Sequence, residues 1–193
     1  MTAPATPTTV RALDLPSAGK LAGLAAVFED LQYALRCCEH LVSRLGRREP
    51  DPVLVEALWT GALLAYVRCF SPRSALLTTT DLDELEDGAE FRRLHDVLLR
   101  LRDHLASRHV NPREAFTVGA AQANDGTPTG IAVVSSPRPL VEEPTVRMLG
   151  RLAYLLAGRV DARMREQQRE VLDAAAALSP AELATLPVVH LTS

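Results

Sequence analysis

The segment LAGLAAVFEDLQYALRCCEHLVSRL, residues 21–45, sets the fold class. Leu21, Leu24, Phe28, Leu31, Leu35, Cys38, Val42 and Leu45 alternate spacings of three and four without a break. That period puts them on one stripe of a long helix, the seam of a bundle or coiled coil, closed near Gly46. Asp51-Pro52 restarts the chain, because Asp caps a helix start and Pro suits its first position. The helix that follows carries Leu54, Leu58, Trp59, Leu63, Tyr66 and Phe70 and stops at Ser71-Pro72. Residues 71–88 form a linker, and its DLDELEDG half makes at most one short, solvated acidic turn. A third helix over about 89–109 buries Phe91, Leu94, Leu98, Leu101 and Leu105, and Asn111-Pro112 ends it.

The pattern then changes from helical to alternating. AFTVGAAQ and TGIAVVSS flank Asn124-Asp125-Gly126-Thr127-Pro128 and predict a β-hairpin at about 115–136, terminated by Pro137 and Pro139. From Pro144 the helical period returns through Leu149, Leu152, Leu156, Val160, Met164 and Val171 to about 177. Gly150 and Gly158 flank LAYLLA in this helix and permit close helix packing. Ser179-Pro180-Ala181-Glu182 has the form of a capping box for a short last helix. The expected fold is mainly α: an up-and-down bundle of four to five helices with an inserted β-hairpin. Residues 1–16, with Pro4, Pro7 and Pro16 among threonines, are expected to be a disordered tail. Residues 17–178 form the bundle, and 179–193 a capped helix followed by the tail LPVVHLTS.

Bulk composition narrows the function classes. The 193 residues are 47% hydrophobic and 23% charged, ordinary values for one globular domain with tails. A net charge of −3 argues against wholesale attraction to nucleic acid or an anionic membrane, so any such contact needs a local patch. Aromatic residues are only 4%, too few for a base-stacking platform. Lys20 is the only lysine among 21 basic residues, a skew that reflects genome composition more simply than binding. Cys37, Cys38 and Cys69 lack CxxC spacing and are expected to be reduced, buried thiols. The Thr/Pro-rich start lacks the apolar core of a signal peptide, and no apolar run approaches the ~20 residues of a membrane span. A cytoplasmic protein is expected.

Chemistry concentrates on the third helix. His95, Arg102 and His109 recur at intervals of seven and stack on one stripe, roughly 70° from the buried face at ~100° per residue. Arg102 and His109, with six residues between them and Asp103 directly after the arginine, match the pattern R-x(4–6)-H. A guanidinium holds a phosphodiester bidentately and keeps its charge, while an imidazole titrates near neutral pH. Arg92, Arg93, Arg100, Arg102, Arg108 and Arg113 outnumber Asp96, Asp103 and Glu114, which makes residues 91–114 locally basic. Such a patch positions a nucleic-acid backbone without specifying sequence. No metal site is expected, because His95 with Asp96 or His109 lacks the i, i+4 spacing of helical zinc ligands. GxGxxG, GxxxxGK[ST] and GxSxG are absent, and no cofactor is expected.

Three features over residues 20–111 together resemble the HEPN family of helical domains, particularly the abortive-infection type. They are the long first helix, a second helix ending Tyr66-Val67-Arg68-Cys69-Phe70, and a third ending Leu101-Arg102-Asp103 before His109-Val110-Asn111. The resemblance implies a homodimer that belongs to a bacterial stress or phage-defence type system. It implies RNA as target, bound or cleaved without metal through the 2′-hydroxyl. Arg102 would then hold the scissile phosphate, His109 would transfer the proton or stabilise the leaving group, and Asp103 would orient the site. Arg100, Arg108, Arg113 and His95 would contact the nucleic acid. Aligned through Val110-Asn111, the family histidine falls on Arg108 and His109 stands one step later, so either His109 has taken over the role or the site is inactive. The alternative is a non-catalytic helical protein that assembles with a protein partner or another copy through helix faces or the hairpin edge.

Overall fold

The elements follow in the order β1 (Val10–Arg11), α1 (Pro16–Leu45), α2 (Pro52–Arg68), α3 (Thr79–Asp83), α4 (Gly88–Ala106), β2 (Phe116–Gln122) and β3 (Pro128–Ser135). The order ends with α5 (Glu143–Ala176), α6 (Pro180–Thr185) and β4 (Val188–Val189). They come from a computed structural model that describes residues 9–72, 75–106, 116–135 and 140–189. The mainly helical bundle with one hairpin is the architecture the sequence predicts. The chain divides into two units, residues 30–156 and residues 1–29 with 157–193.

In the unit 30–156 the start of α2 has a local cause. Asp51 Oδ1 accepts from the Val53 and Leu54 amides at 2.9 and 3.2 Å, and Pro52 follows it, as the Asp-Pro pair predicts. Its core holds Leu31, Leu41, Leu63, Tyr66, Phe91, Leu98, Leu149 and Leu152, all essentially without solvent contact. Full burial of each such side chain contributes about 1.5–3 kcal/mol. The seam of α1 is rotated from the predicted one. Leu24, Leu31 and Cys38 are buried as expected, but Val27, Ala34 and Leu41 complete the stripe, while Phe28, Leu35 and Val42 are half-buried.

The acidic linker is less solvated than its composition suggests. Asp81 and Leu82 of α3 are buried, and the Asp81 carboxylate accepts from the Thr78 amide at 2.7 Å. Gly88 begins α4 where a Cβ would stand 2.7 Å from the Asp83 carbonyl oxygen and 2.8 Å from that of Leu82. Only glycine fits such an approach to backbone. Arg151 of α5 reaches Asp87 Oδ2 at 2.7 Å and lies over the Phe91 ring at 5.6 Å, which ties the start of α4 to α5. Gly150 packs against α1, where a Cβ would come within 3.3 Å of the Cys38 Cβ. Gly158 has nothing within 4 Å of its Cβ position, so only the first of the two predicted packing glycines acts as one.

The antiparallel hairpin pairs Phe116 with Ser135, Val118 with Val133 and Ala120 with Ile131. Its turn is closed by Asp125 Oδ1, which accepts from the Thr127 amide at 2.9 Å, and by Gly126 at φ +88°.

The unit of residues 1–29 and 157–193 joins the two ends of the chain. Val10 and Arg11 pair with Val189 and Val188, the Ala12 amide donates to the Pro187 carbonyl at 2.9 Å, and Arg11 Nη1 donates to the Leu186 carbonyl at 2.7 Å. Both segments read as tails in the sequence, because two residues are too short to show an alternating pattern. Ser179 and Glu182 form the predicted capping box of α6.

Candidate functional site

The predicted stripe divides at its first residue. His95 is 3% exposed and belongs to the core. Its Nδ1 stands 2.9 Å from the Tyr66 hydroxyl, its ring 4.5 Å from that of Phe70, and the Tyr66 and Phe70 rings are 5.2 Å apart. The expectation that His95 contacts nucleic acid is corrected by this burial. A stripe 70° from the centre of a buried face remains inside when α2 and the turn after it bring two aromatic rings to that shoulder. Burial lowers the His95 pKa, Asp96 opposes the shift and Arg92 adds to it. Tyr66 is raised above its ordinary value by burial first, then by Cys69 and Asp96. Both groups are therefore neutral near pH 7 and exchange one hydrogen bond, in whichever direction the imidazole tautomer sets.

Arg102 lies near the C-terminal end of α4 with its side chain partly exposed. Nε and Nη2 both donate to Asp103 Oδ1, at 2.9 and 2.7 Å. Adjacent helical residues point in different directions, yet these two side chains are long enough to fold toward each other over the surface. The pair sits on exposed helix rather than in a dry seam between helices, and such pairs contribute about 0–1 kcal/mol. Asp103 and Arg100 are exposed. Arg92 pairs with Asp83 at 3.2 Å. His109, Arg108 and Arg113 lie outside the described residues.

The cysteines carry no such chemistry. All three are buried. Burial first pushes Cys38 and Cys69 up to about 12 and also raises Cys37, so the protonated thiol prevails. No group of His, Cys, Asp and Glu suited to a metal ion occurs among the described residues. No described helix is long and apolar enough to cross a membrane. A shallow groove of about 390 Å³ runs between α1 and α5, with Leu35, Val42 and Val146 in its walls and Glu39, Arg147 and Arg151 at its margin. Arg147 and Arg151 are paired with Glu143 and Asp87.

The largest unexplained feature is the hairpin. Every residue of β2 and β3 is exposed. Opposed residues share a face, so Phe116, Val118, Ala120, Ile131, Val133 and Ser135 form one side. Phe116, Val118, Ile131 and Val133 are 66, 67, 73 and 65% exposed. The opposite side, apart from Val134, is made of Thr117, Gly119, Ala121, Gly130 and Ala132. Neither strand contains a charged residue. Among the described residues no third strand joins the hairpin. The alternation in the sequence predicted the strands and also set these four large apolar side chains on one face, which among the described residues is left open to solvent.

Compared with known proteins, the chain matches no family model, no curated protein and no solved structure.

Proposed function

We propose that this chain is a helical interaction protein whose hairpin is an assembly arm. The observation that carries this reading is the one-sided, uncharged apolar face of β2 and β3, exposed along its whole length. A two-stranded hairpin is marginal in water and needs a further strand or a packed surface to persist. Edge strands that stay solvated are usually guarded by charge, and these strands have none. A photo-cross-linking residue in place of Ile131, used in the cells that produce the chain, is expected to capture a protein on this face. Cross-links confined to solvent and small molecules would remove the reading.

A second reading is favoured by the Arg102–Asp103 pair, a guanidinium held by a carboxylate on exposed helix near the end of α4. In this reading the chain is a HEPN-like, cytoplasmic homodimer of a bacterial stress or phage-defence system. It binds or cleaves RNA without metal: Arg102 engages the phosphate, Asp103 orients it and His109 transfers the proton. Purified protein incubated with total RNA and a chelator is expected to yield products ending in cyclic phosphate, and Arg102→Ala and His109→Ala to yield none. Equal products from all three proteins, or from none, would discard the nuclease reading.

A further inference from the structure

We infer that the Phe116 face of the hairpin is covered by the same face of a second copy of this chain. The inference rests on the assembly-arm reading and names its partner. Area is the first argument. Four large side chains, each about two-thirds exposed, present on the order of 500 Å² of apolar surface, a patch size that marks interaction sites on monomers. Two such faces together remove on the order of 1,000 Å², where specific interfaces begin.

Charge is the second argument. Neither strand carries a charge with which to recognise an acidic or basic partner, and a copy of itself brings none to be buried unpaired.

Shape is the third, and it singles out a two-fold arrangement. The face has three rungs: Phe116 with Ser135, Val118 with Val133, and Ala120 with Ile131. The large residue is on β2 in the first rung and on β3 in the third. A two-fold axis along the ladder hydrogen bonds, passing over the Val118–Val133 rung, exchanges the outer rungs. Phe116 then lies over the partner's Ala120, and Ile131 over the partner's Ser135. Large meets small at both ends, and valine meets valine on the axis. This is the interdigitation that close packing requires, produced by one sequence facing itself.

Sedimentation equilibrium of the full chain at micromolar concentration is expected to give twice the monomer mass of 20.9 kDa. Val118→Asp sets two carboxylates against each other on the axis and is expected to return the mass to that of the monomer. Ala120→Phe puts ring on ring and is expected to do the same. Adding Phe116→Ala to Ala120→Phe restores large over small and is expected to restore the dimer. Circular dichroism should show unchanged helix throughout. A monomeric wild type, a dimer indifferent to Val118→Asp, or a double variant no more dimeric than Ala120→Phe alone would overturn the inference. Cross-links from position 131 to a different protein, with a monomeric wild type, would leave the assembly arm standing and remove only the second copy. Absence of any protein cross-link would remove both.

Discussion

Nδ1 of His95 and the hydroxyl oxygen of Tyr66 lie 2.9 Å apart inside the core, with the Phe70 ring against the imidazole. A histidine that the helical period places at the rim of a functional stripe is thus half of a buried polar pair between α2 and α4. Its chemistry is spent on packing, and it gives the fold a dependence on pH.

The sign of that dependence follows from burial, which lowers the His95 pKa. The unfolded chain takes up the proton near the ordinary value of about 6.5, and the folded chain only at lower pH. The stability contributed by neutral His95 is complete above that value and declines as pH falls below it. Melting temperatures between pH 8 and 5 should therefore fall more steeply for wild type than for His95→Gln, which cannot titrate. Parallel curves would show that the folded and unfolded chains protonate His95 alike.

Tyr66→Phe keeps the ring and deletes the hydroxyl, so one nitrogen of a buried imidazole loses its partner. A loss of about 1–3 kcal/mol is expected in urea unfolding, larger than for removal of an exposed hydroxyl. No measurable loss would mean that water replaces the bond.

Asp51→Ala removes the acceptor for two amides at the start of α2. The cost should be about 1 kcal/mol, and Asp51→Asn should recover most of it. Equal costs for the two variants would point to charge rather than capping.

Gly88→Ala drives a methyl group into two backbone carbonyls. Backbone cannot step aside as a flexible side chain does, and destabilisation of about 1–3 kcal/mol is expected. Denaturant unfolding reads it directly, and a neutral result would mean that α3 and α4 separate at little cost.

Arg102→Ala should change stability by less than about 0.5 kcal/mol, because the side chain is partly exposed and its Asp103 pair is screened. A large loss in thermal melting would make any missing RNA cleavage in that variant a folding defect.

How much of this was legible in the sequence depends on how local the cause is. The Asp51-Pro52 start, the Ser179–Glu182 capping box and the Asp125-Gly126 turn each need only a few residues, and each appears where the sequence puts it. The α1 seam was legible in period and not in rotation. At 100° per residue Val27 and Phe28, or Leu41 and Val42, flank the same stripe, and only the partner helices decide which turns inward. The fate of His95 had the same non-local cause, since Tyr66 belongs to α2 and Phe70 to the turn that follows it. The Arg102–Asp103 adjacency could be read directly, because the two residues are neighbours in the chain. The exposed hairpin face was written in the alternation of FTVGAAQ and IAVVSS, but exposure is a property of everything that does not pack there.

Among the described residues the β1–β4 ladder joins segments at opposite ends of the sequence, with Arg11 bonded to a carbonyl 175 residues away. Closing a loop of that length costs about 4–5 kcal/mol of chain entropy, which offsets what its few hydrogen bonds return. The helices must therefore bring the ends together before the ladder can zip, and it should be among the first structure to fray. Hydrogen exchange at the Ala12 amide would thus act as a gauge of the surrounding unit, quickening under any insult before the helices themselves let go.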